Sequence, residues 1–80
     1  MVNKNMTVPN LTGEKPEWTI KAVRAKLNMT QADASKLLNM SLTSYTNKEN
    51  GRSEFTAREL RTLARAAGIK SDSISLPKLK

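Results

Sequence analysis

The sequence predicts an all-α fold, four short helices and a fifth element in one small domain. Three observations lead there. Thr19, Thr30, Ser41 and Thr56 each stand directly before a helix-like segment, where a side-chain oxygen can cap the first turn. Asn28, Asn39, Asn50-Gly51 and Gly68 close the same segments, and these are residue types that tolerate the left-handed backbone or turn that ends a helix. Eighty residues suffice for one modest core and not for a deep catalytic cleft.

Each element has its own justification. Residues 1–16 carry Asn, Thr, Gly and two prolines without apolar periodicity, and read as a flexible lead in which Val8 or Leu11 is a tack onto the core. Trp18 is either the first core residue or a lid over one end. The domain then spans residues 17–76. Its first helix runs from Ile20 to Leu27, with Ile20, Val23, Arg24 and Leu27 on one face. Arg24 is a charge inside an apolar stripe. The second helix runs from Gln31 to about Leu38, and Thr30 with Asp33 forms a capping-box pattern before it. Met40 bridges into the core. The third helix runs from Leu42 to about Glu49. After a loop with Phe55 dipping inward, Thr56 and Glu59 form a second capping box. The fourth helix runs to Ala67, with Leu60, Leu63, Ala64 and Ala67 inside and Arg58, Arg61 and Arg65 outside. Ile69 returns to the core. Residues 71–76 read equally as a turn of helix or a strand, and 77–80 as a frayed tail.

Composition narrows the function. There is no cysteine and no histidine, so thiolate zinc sites, disulfides and the commonest general base are excluded. With seven acidic residues in all, no acid–base pair or activated nucleophile can be assembled, and an enzyme is the least supported class. No cofactor, metal or small-molecule substrate is expected. No apolar run reaches membrane-spanning length and no signal-peptide pattern begins the chain, so a cytoplasmic protein is expected. The net charge is +7. It belongs to the folded part: residues 19–68 hold nine basic and four acidic residues, whereas residues 1–18 are balanced. A basic folded surface suits a polyanion, most simply nucleic acid.

The stretch from Gln31 to Gly51 gives that suggestion a shape. Two short helices joined by a tight turn can cross a DNA backbone with the first and enter the major groove with the second. On a wheel begun at Leu42, Tyr45, Lys48 and Glu49 fall on one side, and Thr43, Thr46 and Asn47 on another. Thr and Asn can hydrogen-bond base edges, and Leu42 or a Thr methyl can meet a thymine methyl. The same residues are also common on any solvated face.

These residues resemble the helix-turn-helix of the phage Cro and repressor proteins, the XRE type. The resemblance lies in Thr30-Gln31, in Ala34-Ser35-Lys36-Leu37-Leu38-Asn39-Met40-Ser41, in Glu49-Asn50-Gly51, and in Leu63-Ala64 with Gly68-Ile69. It covers about residues 19–74. It departs at Ser35, where the family usually has Ala, and at Asn39, where it usually has Gly. The resemblance implies a four- to five-helix lambda-repressor-like domain that binds a double-stranded DNA operator. By position, Ser41, Leu42, Thr43, Thr46 and Asn47 would face bases. Gln31 and Asn50 would touch phosphate, with Ser44 a further backbone candidate. Lys48 and Arg52 flank the third helix and are candidates for neutralising phosphates; Lys36 and Lys21 are weaker ones. The family often pairs an arginine of the first helix with the Glu of Glu-Asn-Gly, which here are Arg24 and Glu49. The same pairing follows from their positions beside apolar stripes, since a partly buried charge needs a partner.

The leading expectation is therefore a sequence-specific transcriptional regulator of phage or prophage Cro/repressor type, in a bacterial or phage-infected cell. Such proteins usually bind as homodimers to half-sites about one helical turn apart. Ile74-Ser75-Leu76 and the outer face of the fourth helix are the candidate dimer surfaces. The alternative is a protein-binding accessory or anti-repressor module that keeps the fold without DNA binding. Exposed Leu42 and the scarcity of long polar residues on the third helix keep it open.

Overall fold

The computed structural model describes residues 18–80, so the lead over residues 1–16 lies outside the described residues. The element order is β1 (Trp18–Thr19), α1 (Ile20–Lys26), α2 (Gln31–Leu37), α3 (Leu42–Glu49), α4 (Ala57–Ala67), a 3-10 turn (Ser71–Ser73) and β2 (Ile74–Ser75).

The helices start where the sequence places their caps. Thr19 Oγ1 accepts from Ala22 N–H at 3.0 Å, and Ser41 Oγ accepts from Ser44 N–H at 3.0 Å. Thr30–Asp33 and Thr56–Glu59 are complete capping boxes, each side chain bonding the other residue's backbone N–H. The four helices also stop by one device. Asn28, Asn39, Gly51 and Gly68 all have positive φ. The N–H of the following residue then reaches back to satisfy an orphan carbonyl: Met29 to Arg24, Met40 to Ser35, Arg52 to Asn47 and Ile69 to Ala64, at 2.8–3.0 Å. Leu27 and Leu38, expected as last helical residues, are C-caps instead, because the reversal begins one residue earlier than the apolar pattern suggests.

Asn39 is the only join between the two helices of the motif that needs a left-handed backbone, at φ 59°. Asn39→Ala is expected to cost about 1 kcal/mol, the penalty of that conformation for an ordinary side chain. This would lower the melting temperature by roughly 4–8 °C in a domain this small. Asn39→Gly should leave it unchanged or raise it. Thermal melts of the two variants read the difference, and a harmless alanine would contradict the assignment.

The core lies where α1, α3 and α4 meet. Val23, Tyr45 and Leu63 are fully buried, surrounded by Ile20, Ala34, Phe55, Ala64, Ala67 and Ile74. Tyr45 and Phe55 meet edge to face with centroids 6.0 Å apart. Small residues bring α2 close: Ala34 is buried, and buried Ser35 satisfies its hydroxyl by donating to Ala32 O at 2.7 Å. Residues 71–76, open between helix and strand in the sequence, divide into the 3-10 turn and β2. β2 pairs in parallel with β1, Trp18 opposite Ile74 and Thr19 opposite Ser75. The Lys26 ammonium sits 5.6 Å from the centre of the half-buried Trp18 ring. The tail read as frayed lies back on the domain, with Lys80 N–H donating to Gly51 O at 2.9 Å. No helix among the described residues is long and apolar enough to cross a membrane.

Candidate nucleic-acid interface

α3 is eight residues long and divides sharply into two faces. The inner face is Tyr45 and Glu49, both buried. The outer face begins at Leu42, which is 48% exposed and lies outside the core cluster. Thr43 is exposed, while Thr46 and Asn47 are half-buried beside it.

What holds that helix is a carboxylate. The Glu49 side chain is 1% exposed and accepts four hydrogen bonds. Arg24 grips it in bidentate fashion, Nε to Oε2 at 2.8 Å and Nη2 to Oε1 at 3.2 Å. Tyr45 Oη donates to Oε2 at 2.6 Å, and Gln31 Nε2 donates to Oε1 at 2.8 Å. Arg24 Nη1 has a further acceptor in Met29 O at 3.0 Å. One carboxylate thus ties α1, α2 and α3 together. Burial alone would raise its pKa, but the bonds from Arg24, Tyr45 and Gln31 outweigh burial and hold it below the ordinary carboxylate value. The bond to Glu49, stronger than the opposing effect of burial, keeps the Arg24 guanidinium firmly charged. Burial, and then the bond to Glu49, pushes the Tyr45 phenol up.

The residues proposed to contact DNA fall into two groups by availability. Thr43 and Asn47 make no side-chain hydrogen bond with another described residue, and Asn50 and Arg52 are exposed at the exit of α3. Ser41 and Thr46 are partly committed: Ser41 Oγ donates to Ser44 Oγ at 3.0 Å while capping α3, and Thr46 Oγ1 donates to Thr43 O at 3.1 Å. Ser44 keeps its own hydroxyl hydrogen. Gln31, expected at phosphate, directs its amide to Glu49 and has one amide N–H left. Lys48, expected to neutralise phosphate, is instead half-buried and bonds both oxygens of Glu59 at 2.7 and 2.9 Å. There burial would raise the Glu59 pKa, but Lys48 and the Thr56 backbone N–H hold it low. Lys48 lies on the wheel with Tyr45 and Glu49, which signals an inward lean. Its partner eleven positions away could not be read from local spacing.

No curated protein and no solved structure matches the chain. A family model described as helix-turn-helix matches residues 20–74, from the first residue of α1 to the first of β2. That span holds both joined helices, the carboxylate that ties them and the free outer face of α3, and the chain belongs to the XRE-type helix-turn-helix family of DNA-binding regulators.

Proposed function

We propose that the chain is a sequence-specific regulator of phage or prophage Cro/repressor type that reads a double-stranded DNA operator with the outer face of α3. One observation carries the reading. α3 buries Tyr45 and Glu49, leaves Leu42 and Thr43 exposed, and leaves the Thr43 and Asn47 side chains without a hydrogen bond to another described residue. Such a helix has hydrogen-bonding groups and methyls to offer a base edge. Thr43 and Asn47 are the principal readers, with Leu42 and the Thr46 methyl against thymine methyls. Ser41, already bonded within α3, is a minor contributor.

Phosphate contacts come from both ends of the motif. At the start of α2, Gln31 offers its remaining amide N–H. Ser44 donates from the first turn of α3, and Asn50 with Arg52 from its exit. Lys48 drops out of this set because Glu59 already neutralises it. A homodimer on a pseudo-palindromic site would place two copies of α3 about one helical turn apart.

Selection of bound duplexes from a random pool, followed by salt titration of the winner, tests the reading. An enriched sequence with salt-dependent affinity is expected. Asn47→Ala should shift the preferred sequence, with a discrimination loss of about 1–3 kcal/mol at the affected base. Arg52→Ala should weaken all sequences alike and lower the slope of log affinity against log salt by about 0.9. A pool without enrichment would instead favour the protein-binding accessory module, for which Leu42 would be the natural contact.

A further inference from the structure

The segment after β2 does not trail into solvent. It crosses the exit of α3, where Lys80 N–H donates to Gly51 O at 2.9 Å. The Lys78 carbonyl oxygen lies so close that it occupies the space a side chain at Gly51 would need. Gly51 is buried as a result. Its sequence neighbours are Asn50 and Arg52, both exposed. The backbone bond therefore pins two cationic residues, Lys78 and Lys80, next to the end of the helix from which phosphate contacts are proposed. Both lysines are exposed, and neither pairs with a carboxylate among the described residues. Glu54 is the acidic neighbour on that side. It lines a cavity of about 170 Å³ with Phe55, Leu76, Pro77 and Leu79 without pairing either lysine.

We propose that residues 77–80 form a second phosphate-binding arm, in which Lys78 and Lys80 continue the contacts of Asn50 and Arg52 along the DNA backbone. The partner is the sugar-phosphate chain flanking the bases read by α3, and the contribution is independent of sequence. Three features support this: two unpaired cations within three residues, a hydrogen bond that fixes where they lie, and a glycine that makes the close approach possible. A duplex carries one phosphate charge per roughly 1.7 Å of axis, so two lysines whose backbone is held at its edge have several phosphates within reach. The arm rests on the DNA reading above.

The experiment is a salt titration of the selected duplex with wild type and with Lys78→Ala/Lys80→Ala. Both positions are exposed, so the melting temperature should not move. The variant should keep the preferred sequence. Its slope of log affinity against log salt should be shallower by about 1.8, the release of two counterion equivalents. Between 50 and 200 mM salt the affinity advantage of wild type should accordingly shrink roughly tenfold. Gly51→Ala keeps both lysines, and to the extent that its Lys80 amide loses hydrogen-exchange protection it should reproduce part of that change. An unchanged slope in the double variant, with sequence selection intact, overturns the arm alone. A wild type that selects no duplex overturns the DNA reading and the arm with it.

Discussion

Glu49→Ala is expected to cost about 3–5 kcal/mol, the range found when one partner of a buried ion pair is removed. The loss is not that of one contact. Arg24, Tyr45 and Gln31 each lose their acceptor at once, and the Tyr45 hydroxyl is left buried without a partner. Small domains have about 5–15 kcal/mol in total, so the variant should be near unfolding at moderate temperature. Glu49→Gln keeps the shape and one acceptor oxygen, and should fall between wild type and alanine. The pH dependence has a definite sign. The Glu49 carboxyl titrates lower in the folded state than the ordinary value near 4.3, so its contribution is fully present above that value and disappears as pH falls through the folded one. Glu59 and Asp33, whose pKa values are also lowered, act in the same direction. Wild-type stability should therefore decline below about pH 4–5, and Glu49→Gln should decline less steeply. Urea midpoints at a series of pH values measure both effects. A loss under 1 kcal/mol for the alanine variant, or parallel pH profiles, would show that the carboxylate does not hold the three helices.

Gly51→Ala should cost about 2–5 kcal/mol, from two sources that a control can separate. The first is backbone conformation: φ is 81°, which costs an ordinary residue about 1–2 kcal/mol. The second is overpacking, typically about 1–3 kcal/mol, because the new Cβ falls on the backbone oxygen of Lys78. Gly68 has a similar φ of 72°, but among the described residues nothing beyond its chain neighbours and its own helix lies within 4 Å of where its Cβ would be. Gly68→Ala should therefore show the conformational cost alone. If the segment over α3 lifts off rather than clashes, Gly51→Ala will approach Gly68→Ala in melting temperature, and the Lys80 amide will lose hydrogen-exchange protection. Equal losses with Lys80 still protected would mean that the close approach carries no energy.

Much of this molecule is legible in its residues because the determinants are local. A Thr or Ser cap acts within three residues of its partner, and a left-handed Asn or Gly acts on its own φ. Arg24 announced Glu49 because a charge within an apolar stripe requires an acceptor, and the family resemblance supplied a specific one. The features without a trace in the sequence depend on contacts between distant residues. Lys48 lies on the inner side of the wheel, but its partner Glu59 comes beside it only on folding. Gln31 keeps one amide N–H for phosphate, but that α2 points the other at the carboxylate Arg24 holds has no local signal. β1 and β2 are two residues each, too short to show alternation. The path of residues 77–80 over Gly51 leaves no periodic trace at all. Nothing in the outer face of α3 names the bases it meets, since Thr, Asn and Leu each suit more than one edge.

The β1–β2 pairing has a consequence for the order in which the chain folds. Ser75 Oγ donates to Trp18 O across a separation of 57 positions, whereas the caps and stops of the helices close within five. Joining distant points carries a chain-entropy penalty before any contact compensates for it. The helices can therefore form and dock while the two ends remain apart, and the clasp between them closes late and opens early. Trp18, the only tryptophan, lies in that clasp. Its fluorescence should thus include a phase for the joining of the ends that helix-sensitive circular dichroism lacks.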